Sequence, residues 1–307
     1  VSSANDLRGV TLAAKRPGRD AGVEGWRFDC LVPRFARLDE YLADWMIAPR
    51  GFEVLRSRLM SFDLAAHIRA TAGAPPRPVA LAYDTIEARN GNKVAVVRMV
   101  GPMMKGQSSL GGSASTIAVR RAIRQAAQDD DVVGIALAVD SPGGTVAGTK
   151  DLADDVRAAA RRKPVIAHAD DMTASAAYWV SSQADEVWAN ASTALVGSIG
   201  TIISIQESAG RADRLGTRER VFMTGPLKDV GGDSPISAEG AAYLQKLAED
   251  LQVEFDAAVK RGRRLTAAQL AEVRSGAIFT AADAQRLGLI NGVRSLESTI
   301  EALASTK

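Results

Sequence analysis

The chain reads as an α/β protein built from βαβ units with a parallel sheet. Two observations carry this. Short apolar runs, VAVVRMV (94–100), VVGIALAV (132–139), PVIAH (164–168) and EVWAN (186–190), alternate with longer stretches of helical period. The runs are also nearly continuous in apolar character, as strands covered on both faces are.

The N-terminal part has a different texture. Residues 1–25 are rich in Arg, Gly, Ala and Asp without a sustained period, and read as an arm. From Leu38 to Thr71 the spacing of Tyr41, Trp45, Phe52, Leu55, Leu59 and Leu64 predicts helix, broken at Pro49-Arg50-Gly51. AGAPPRP (72–78) reads as a linker. The expected division is a 1–90 extension and a 91–307 catalytic domain.

Beyond the first strand, 115–128 is predicted helical with Ile117, Ile123 and Ala127 on one side. A second helix covers 146–161, and Pro164 opens the third strand. A third helix covers 173–183, and IISI (202–205) is predicted as a further strand. The last quarter reads as helical: 237–262, with Ser237 as N-cap and a stripe of Leu244, Leu247, Leu251 and Phe255, then 266–275 and 280–288, each opened by Thr.

Composition narrows the function. Of 307 residues 46% are apolar and 24% charged, with a formal net charge of +2. That balance gives no global electrostatic case for nucleic acid or an anionic membrane. Cys30 is the only cysteine, so an intramolecular disulfide and a cysteine-based zinc site are excluded, and a reducing, cytoplasmic compartment is expected. No apolar run reaches the ~20 residues of a membrane span, and no secretory signal is visible after Val1. Neither a cofactor nor a metal is expected.

The informative stretch lies between Asp140 and Gly200. Small-residue turns follow apolar runs there: DSPGG (140–144), MTASAAYW (172–179) and VGSIGT (196–201), with TGPLKDVGG (224–232) further on. In parallel sheets the loops at the carboxyl ends of the strands carry the chemistry, so DSPGG and TASAAYW should share one sheet edge. Ser175 stands among alanines where a strand passes into a helix. It is a candidate nucleophile, since small neighbours admit a substrate backbone and a helix N-terminus favours an oxyanion. Locally it reads equally as an N-cap or a packing serine. Gly143 and Gly144 can turn bare N–H groups outward, as an oxyanion hole requires, or can form an ordinary turn. Ser141 reads as a turn residue, and Ser198 as an accessory hydroxyl or a strand-start residue.

A serine nucleophile needs a base. His67 lies in the N-terminal helical pattern. His168 ends a strand near the presumed site, so a Ser–His arrangement stays open. Lys228 is the other candidate: an ordinary lysine is a solvated surface residue, but one set among Gly, Pro, Val and Leu can be neutral at moderate pH and take the serine proton.

Taken in order, VDSPGG, KPVIAHADDMTASAAYWVSSQADEVWA, STALVGSIGTI and TGPLKDVG resemble the signal peptide peptidase A-like serine proteases over roughly residues 92–295, and LAEVRSGAIFTAADAQRLGLINGV (270–293) resembles that family's closing segment. The resemblance implies a crotonase- or Clp-protease-like α/β spiral. It also implies a Ser–Lys dyad with Ser175 as nucleophile, Lys228 as general base and Ser198 orienting the lysine. Gly143 or Gly144, with the N–H of Ala176, would form the oxyanion hole. It implies a homo-oligomeric ring in which serine and lysine can come from neighbouring subunits. The membrane-bound members usually carry ASGGYY after the nucleophile; ASAAYW here resembles the phage capsid (prohead) protease branch, which DWMIAPRGFEVL resembles more weakly. The expected substrates are therefore scaffold, capsid or portal proteins, with signal peptides, or an acyl-CoA substrate in a crotonase-like enzyme, as the alternatives.

Overall fold

The computed structural model describes residues 45–47, 57, 63, 66, 69, 83–107, 112–205, 216, 222–230 and 235–306. The chain divides into two compact units, Val1–Pro33, outside the described residues, and Arg34–Lys307. Cys30, His67 and most of the helical pattern from 38 to 71 also lie outside the described residues.

Twelve strands are described: β1 (Trp45–Ile47), β2 (Asp84–Glu87), β3 (Lys93–Val100), β4 (Met103–Met104), β5 (Ala114–Ser115), β6 (Val132–Ser141), β7 (Gly143–Thr145), β8 (Val165–Ala174), β9 (Glu186–Ala189), β10 (Leu195–Gly197), β11 (Ile278–Thr280) and β12 (Gly292–Val293). The described helices are α1 (Thr116–Gln128), α2 (Thr149–Ala159), α3 (Ala176–Ser181), α4 (Ala238–Arg263), α5 (Ala267–Val273), α6 (Ala281–Arg286) and α7 (Leu296–Ser305).

The main sheet runs β11-β10-β8-β6-β3-β2, with β9 pairing β8 and β12 pairing β9. Its centre, β3-β6-β8, is parallel, so the α/β class expected from the apolar runs is the one formed. Alternation along these strands splits the core. Ala95, Val97, Met99, Ile135, Leu137, Val139, Val165 and Ala167 face the layer of α1, α2 and α3. Val94, Val96, Ala136, Ala138 and Ile166 face Ile300, Leu303 and Ala304 of α7. Burying both faces explains why the strands read as unbroken apolar runs. A second, smaller sheet, β1-β7-β4-β5, stands beyond the carboxyl ends of the main strands.

β8 has two partners in succession: β9 along Ile166–Ala169 and β10 along Met172–Ala174. Its second half carries the chain to the edge where β6 also ends, with Ser141 in register with Thr173. DSPGG and TASAAYW thus lie side by side, as expected.

Several expectations are corrected. Trp45–Ile47 is a strand, because its backbone is taken up by β7. IISI forms no strand beyond a single bridge at Ile202, and the pairing with β8 is made by the preceding residues 195–197 instead. Ile117 is 46% exposed; α1 buries Val119, Ala122, Ile123, Ala126 and Ala127. The helix expected from 146 starts at Thr149, and the one expected from 173 starts at Ala176 because β8 runs through Ala174. The last quarter contains the short strands β11 and β12 as well as helices. Residues 84–87, before the expected boundary at 90, join the main sheet through β3. The cap at Ser237 is formed, its hydroxyl accepting from the Gly240 N–H at 3.0 Å.

Candidate active site

β8 passes into α3 through one residue, Ser175, with φ 55° and ψ −122°. A non-glycine residue on that side of the map is strained by about 1–3 kcal/mol and persists only where its surroundings hold it. Here the Ser175 N–H donates to the Gly197 carbonyl at 2.7 Å, and the Ser175 carbonyl accepts from the Trp179 N–H at 2.9 Å. The Ser175 hydroxyl makes a long 3.5 Å contact with the Gly200 carbonyl. Behind the turn, α3 is wholly buried. Trp179 stacks on Phe255 of α4 with ring centres 5.1 Å apart. The first N–H groups of α3, at Ala176 and Ala177, have no carbonyl one turn back to bond, so they are donors beside the Ser175 side chain.

Gly143 lies directly against this turn. A Cβ on Gly143 would stand 2.8 Å from the Ser175 Cβ, 2.9 Å from the Ala174 carbonyl and 2.3 Å from the Met46 carbonyl, and its φ is +101°. Only glycine fits. Gly144 is as tightly enclosed, its absent Cβ falling 1.9 Å from the Met103 carbonyl. Ser141 belongs to the end of β6 rather than to a turn, and its hydroxyl accepts from the Gly143 N–H at 3.2 Å. Gly143–Thr145 pairs with β1 on one edge and with β4 on the other.

Ser198 follows Gly197, the residue in register with Ala174. It is buried and has φ 52°. Its N–H donates to the Ala277 carbonyl at 2.7 Å. Ser175, Ser198, Gly143, Gly144 and Ala176 are thus gathered at one sheet edge.

Lys228 is not with them. It sits exposed in the turn 224–230, its N–H donating to the Gly225 carbonyl at 3.1 Å, and its ammonium has no hydrogen-bond or ion-pair partner among the described residues. Val230 anchors this turn near Gly240, in the first turn of α4. The loop after Ser198 meets α4 further along: Thr201 donates to Gln252 at 3.1 Å. Twelve residues of helix, about 18 Å of rise, separate Gly240 from Gln252. Among the described residues no hydrogen bond or ion pair joins Lys228 to Ser175 or Ser198.

His168 is not a base for Ser175. It is buried on the α7 side, with Nδ1 3.3 Å from the Thr299 hydroxyl. Burial holds its pKa below the usual 6.5. Among the described residues no group of three His, Cys, Asp or Glu side chains is placed to hold a metal ion, and no helix is long and apolar enough to cross a membrane.

Sequence reasoning missed two supports. One is the relay Thr201–Gln252–Asp256–Arg274, in which Gln252 donates to Asp256 at 2.6 Å and Arg274 pairs with it at 2.9 Å. The i, i+4 spacing of Gln252 and Asp256 was the available signal. The other is β1, masked by its helical spacing.

Residues 157–307, from the end of α2 through the serine turn, Lys228 and α7, match Peptidase family S49. A Methanocaldococcus jannaschii chain with the provisional name of a protease is 33% identical over 177 residues, 57% of each chain. Protease 4 of Salmonella typhi is 29% identical over 218 residues, 71% of this chain and 35% of that one. A mutant of the 1510-N membrane-bound stomatin-specific protease superposes with a TM-score of 0.41 at 15% identity, covering 67% of this chain and 82% of that one. The chain thus spans about a third to just over half the length of these two curated relatives. The matched stretch holds Ser175, Ser198 and Lys228; the glycines 143 and 144 lie before it.

Proposed function

We propose that this chain is a subunit of a serine endopeptidase in which Ser175 is the nucleophile and Lys228 of a neighbouring subunit is the general base. The observation that carries the reading is the strained, fully enclosed turn at Ser175, set against Gly143 and the unbonded N–H groups of α3. Its place within the stretch that matches Peptidase family S49, and relatives named as proteases, support it. The exposure of Lys228, with no bond to Ser175 or Ser198 among the described residues, supports completion between subunits. So does the outer part of α4, which leaves Tyr243 45% and Val253 63% exposed.

In this reading neutral Lys228 takes the Ser175 proton as the hydroxyl oxygen attacks a peptide carbonyl. The negative charge collects on the carbonyl oxygen, facing the Ala176 N–H and the Gly143–Gly144 backbone. Loss of one such donor typically costs about 3 kcal/mol of transition-state stabilisation. The lysine ammonium then gives its proton to the departing amine, and water hydrolyses the ester, with Ser198 helping to orient the lysine.

The substrates we propose are phage scaffold and capsid proteins during head maturation in the host cytoplasm, on the strength of ASAAYW in place of ASGGYY. Signal peptides are the second reading, favoured by the similarity to an Enterococcus faecium chain named as a signal peptide peptidase.

Ser175→Ala and Lys228→Ala should each abolish cleavage of scaffold and capsid protein with the fold intact. Mixed in equal amounts and reassembled, the two should regain about a quarter of wild-type activity, since a random ring places an intact serine beside an intact lysine at that frequency. Full activity in either single variant rules out the dyad, and no recovery on mixing rules out the shared site. Preferential cleavage of signal peptides over scaffold would move the substrate to the second reading.

A further inference from the structure

Ser175 is fully buried, and what closes it off from solvent includes a piece of this chain's own N-terminal region. β1 pairs antiparallel with β7 in the register Trp45↔Thr145, Met46↔Gly144, Ile47↔Gly143. Met46 and Ile47 are 0% and 2% exposed. The opposite edge of β7 is already used by β4 at Met103↔Gly144, so β1 sits on the one edge that an incoming strand could take. The Met46 carbonyl borders the same small gap as the serine: one point, the missing Cβ of Gly143, lies 2.3 Å from the Met46 oxygen and 2.8 Å from the Ser175 Cβ. An extended backbone added to β7 therefore carries a peptide carbonyl to the nucleophile.

Resting on the proposed protease reading, we infer that the β7 edge is a strand-addition site for an extended polypeptide, and that residues 45–47 are its resident occupant, a tethered competitor that must leave before substrate enters. The occupant is built to be displaced. It is three residues long, and Pro49 has no N–H with which to extend a ladder past Ile47. Its central and last residues face Gly144 and Gly143, which have no side chains, so beside the ladder it is held by the burial of Met46 and Ile47. Because it is part of the same chain, its local concentration is high and even a weak pairing keeps the edge filled. Short, locally held elements of this kind open without global unfolding.

The test uses the full chain in two altered forms. In the first, Met46→Pro puts a strand-breaking residue at the centre of β1. In the second, a site-specific protease sequence is inserted within 72–78 and cut, so that the segment is no longer tethered; this form carries the test if the proline variant fails to fold. Three quantities are read: amide exchange at Gly143–Thr145, the rate of fluorophosphonate labelling at Ser175, and binding of a fluorescent peptide of residues 42–50, LADWMIAPR. In both forms we expect faster exchange at 143–145, labelling at least tenfold faster than wild type, and peptide binding that slows labelling again. Exchange at 143–145 that is unchanged after cutting overturns the inference, as does labelling that fails to rise while exchange does. If labelling rises but the peptide neither binds nor competes, the tethered-competitor assignment is wrong and the nucleophile stands. If no form labels but the released form binds the peptide, the strand site stands and the protease reading falls.

Discussion

Gly143 and Ser175 touch through the place where a Gly143 side chain would be: the missing Cβ lies 2.8 Å from the Ser175 Cβ. The Gly143 backbone, at φ +101°, is also one that other residues rarely adopt. Gly143→Ala should therefore fail on both counts. The backbone strain alone is about 1–3 kcal/mol, and the methyl must also displace either the Met46 carbonyl or the serine. Urea unfolding should show a lower midpoint with unchanged slope. Serine labelling should fall by more than the loss of folded protein explains.

His168 gives a stability prediction of definite sign. Burial lowers its pKa in the folded chain below the ordinary 6.5, so the unfolded chain binds the proton more readily. The stability this contributes is present above pH 6.5 and is lost as pH falls from there towards the folded pKa. His168→Gln should remove that part of the slope in unfolding measurements between pH 7 and 5. Because His168 faces Thr299 rather than Ser175, the same variant should keep the pH dependence of serine labelling. A lost or shifted labelling profile would return His168 to the site.

Asp256 behaves in the opposite sense. Burial raises its pKa, while Gln252 and Arg274 pull it down. Arg274→Ala removes one of the two supports and should raise the carboxyl further. A raised folded pKa leaves stability intact at low pH and erodes it as pH rises. Wild type and variant should therefore converge near pH 3 and diverge above the ordinary carboxylate value of 3.8. At neutral pH we expect a gap of about 1–3 kcal/mol, below the loss seen for fully buried pairs because Arg274 is half exposed. A pH-independent gap would assign the effect to packing instead.

The sheet was legible because strands buried on both faces leave unbroken apolar runs, and β3, β6, β8 and β9 fall where those runs lie. The caps at Ser237 and Thr266 were legible for an equally local reason, a short polar side chain three residues before an N–H it can accept from. What was hidden depended on partners distant in sequence. Trp45–Ile47 has helical spacing, and only its pairing with Gly143–Thr145, roughly a hundred residues on, makes it a strand. IISI is as β-prone as any segment of the chain, but the edge of β8 is already occupied by Leu195–Gly197. At the site, the types and order of Ser175, Gly143 and Ser198 were readable from the small residues around them. The exposure of Lys228 was not, because its turn is anchored at Gly240 of α4, twelve residues before Gln252, where Thr201 meets the same helix.

That same helix supplies a prediction in which two effects compete. Gly262 is in the last turn of α4, and replacing a helical glycine by alanine ordinarily stabilises by about 1 kcal/mol through propensity. Here the added Cβ would fall 2.0 Å from the Ser182 carbonyl and 2.8 Å from Gln183 Nε2. The first of these is backbone at the end of α3, so it cannot swing aside. Overpacking of a close-packed contact costs about 1–3 kcal/mol, which outweighs the propensity gain. Gly262→Ala should thus destabilise, and α4 should lift from α3. The lift acts on the Trp179–Phe255 stack, four residues beyond Ser175, and so on the strained serine turn itself. Near-ultraviolet dichroism should record the loosened tryptophan, and serine labelling should slow in step with it. If Gly262→Ala instead raised the melting temperature as propensity alone predicts, the close crossing of α4 over α3 would be wrong.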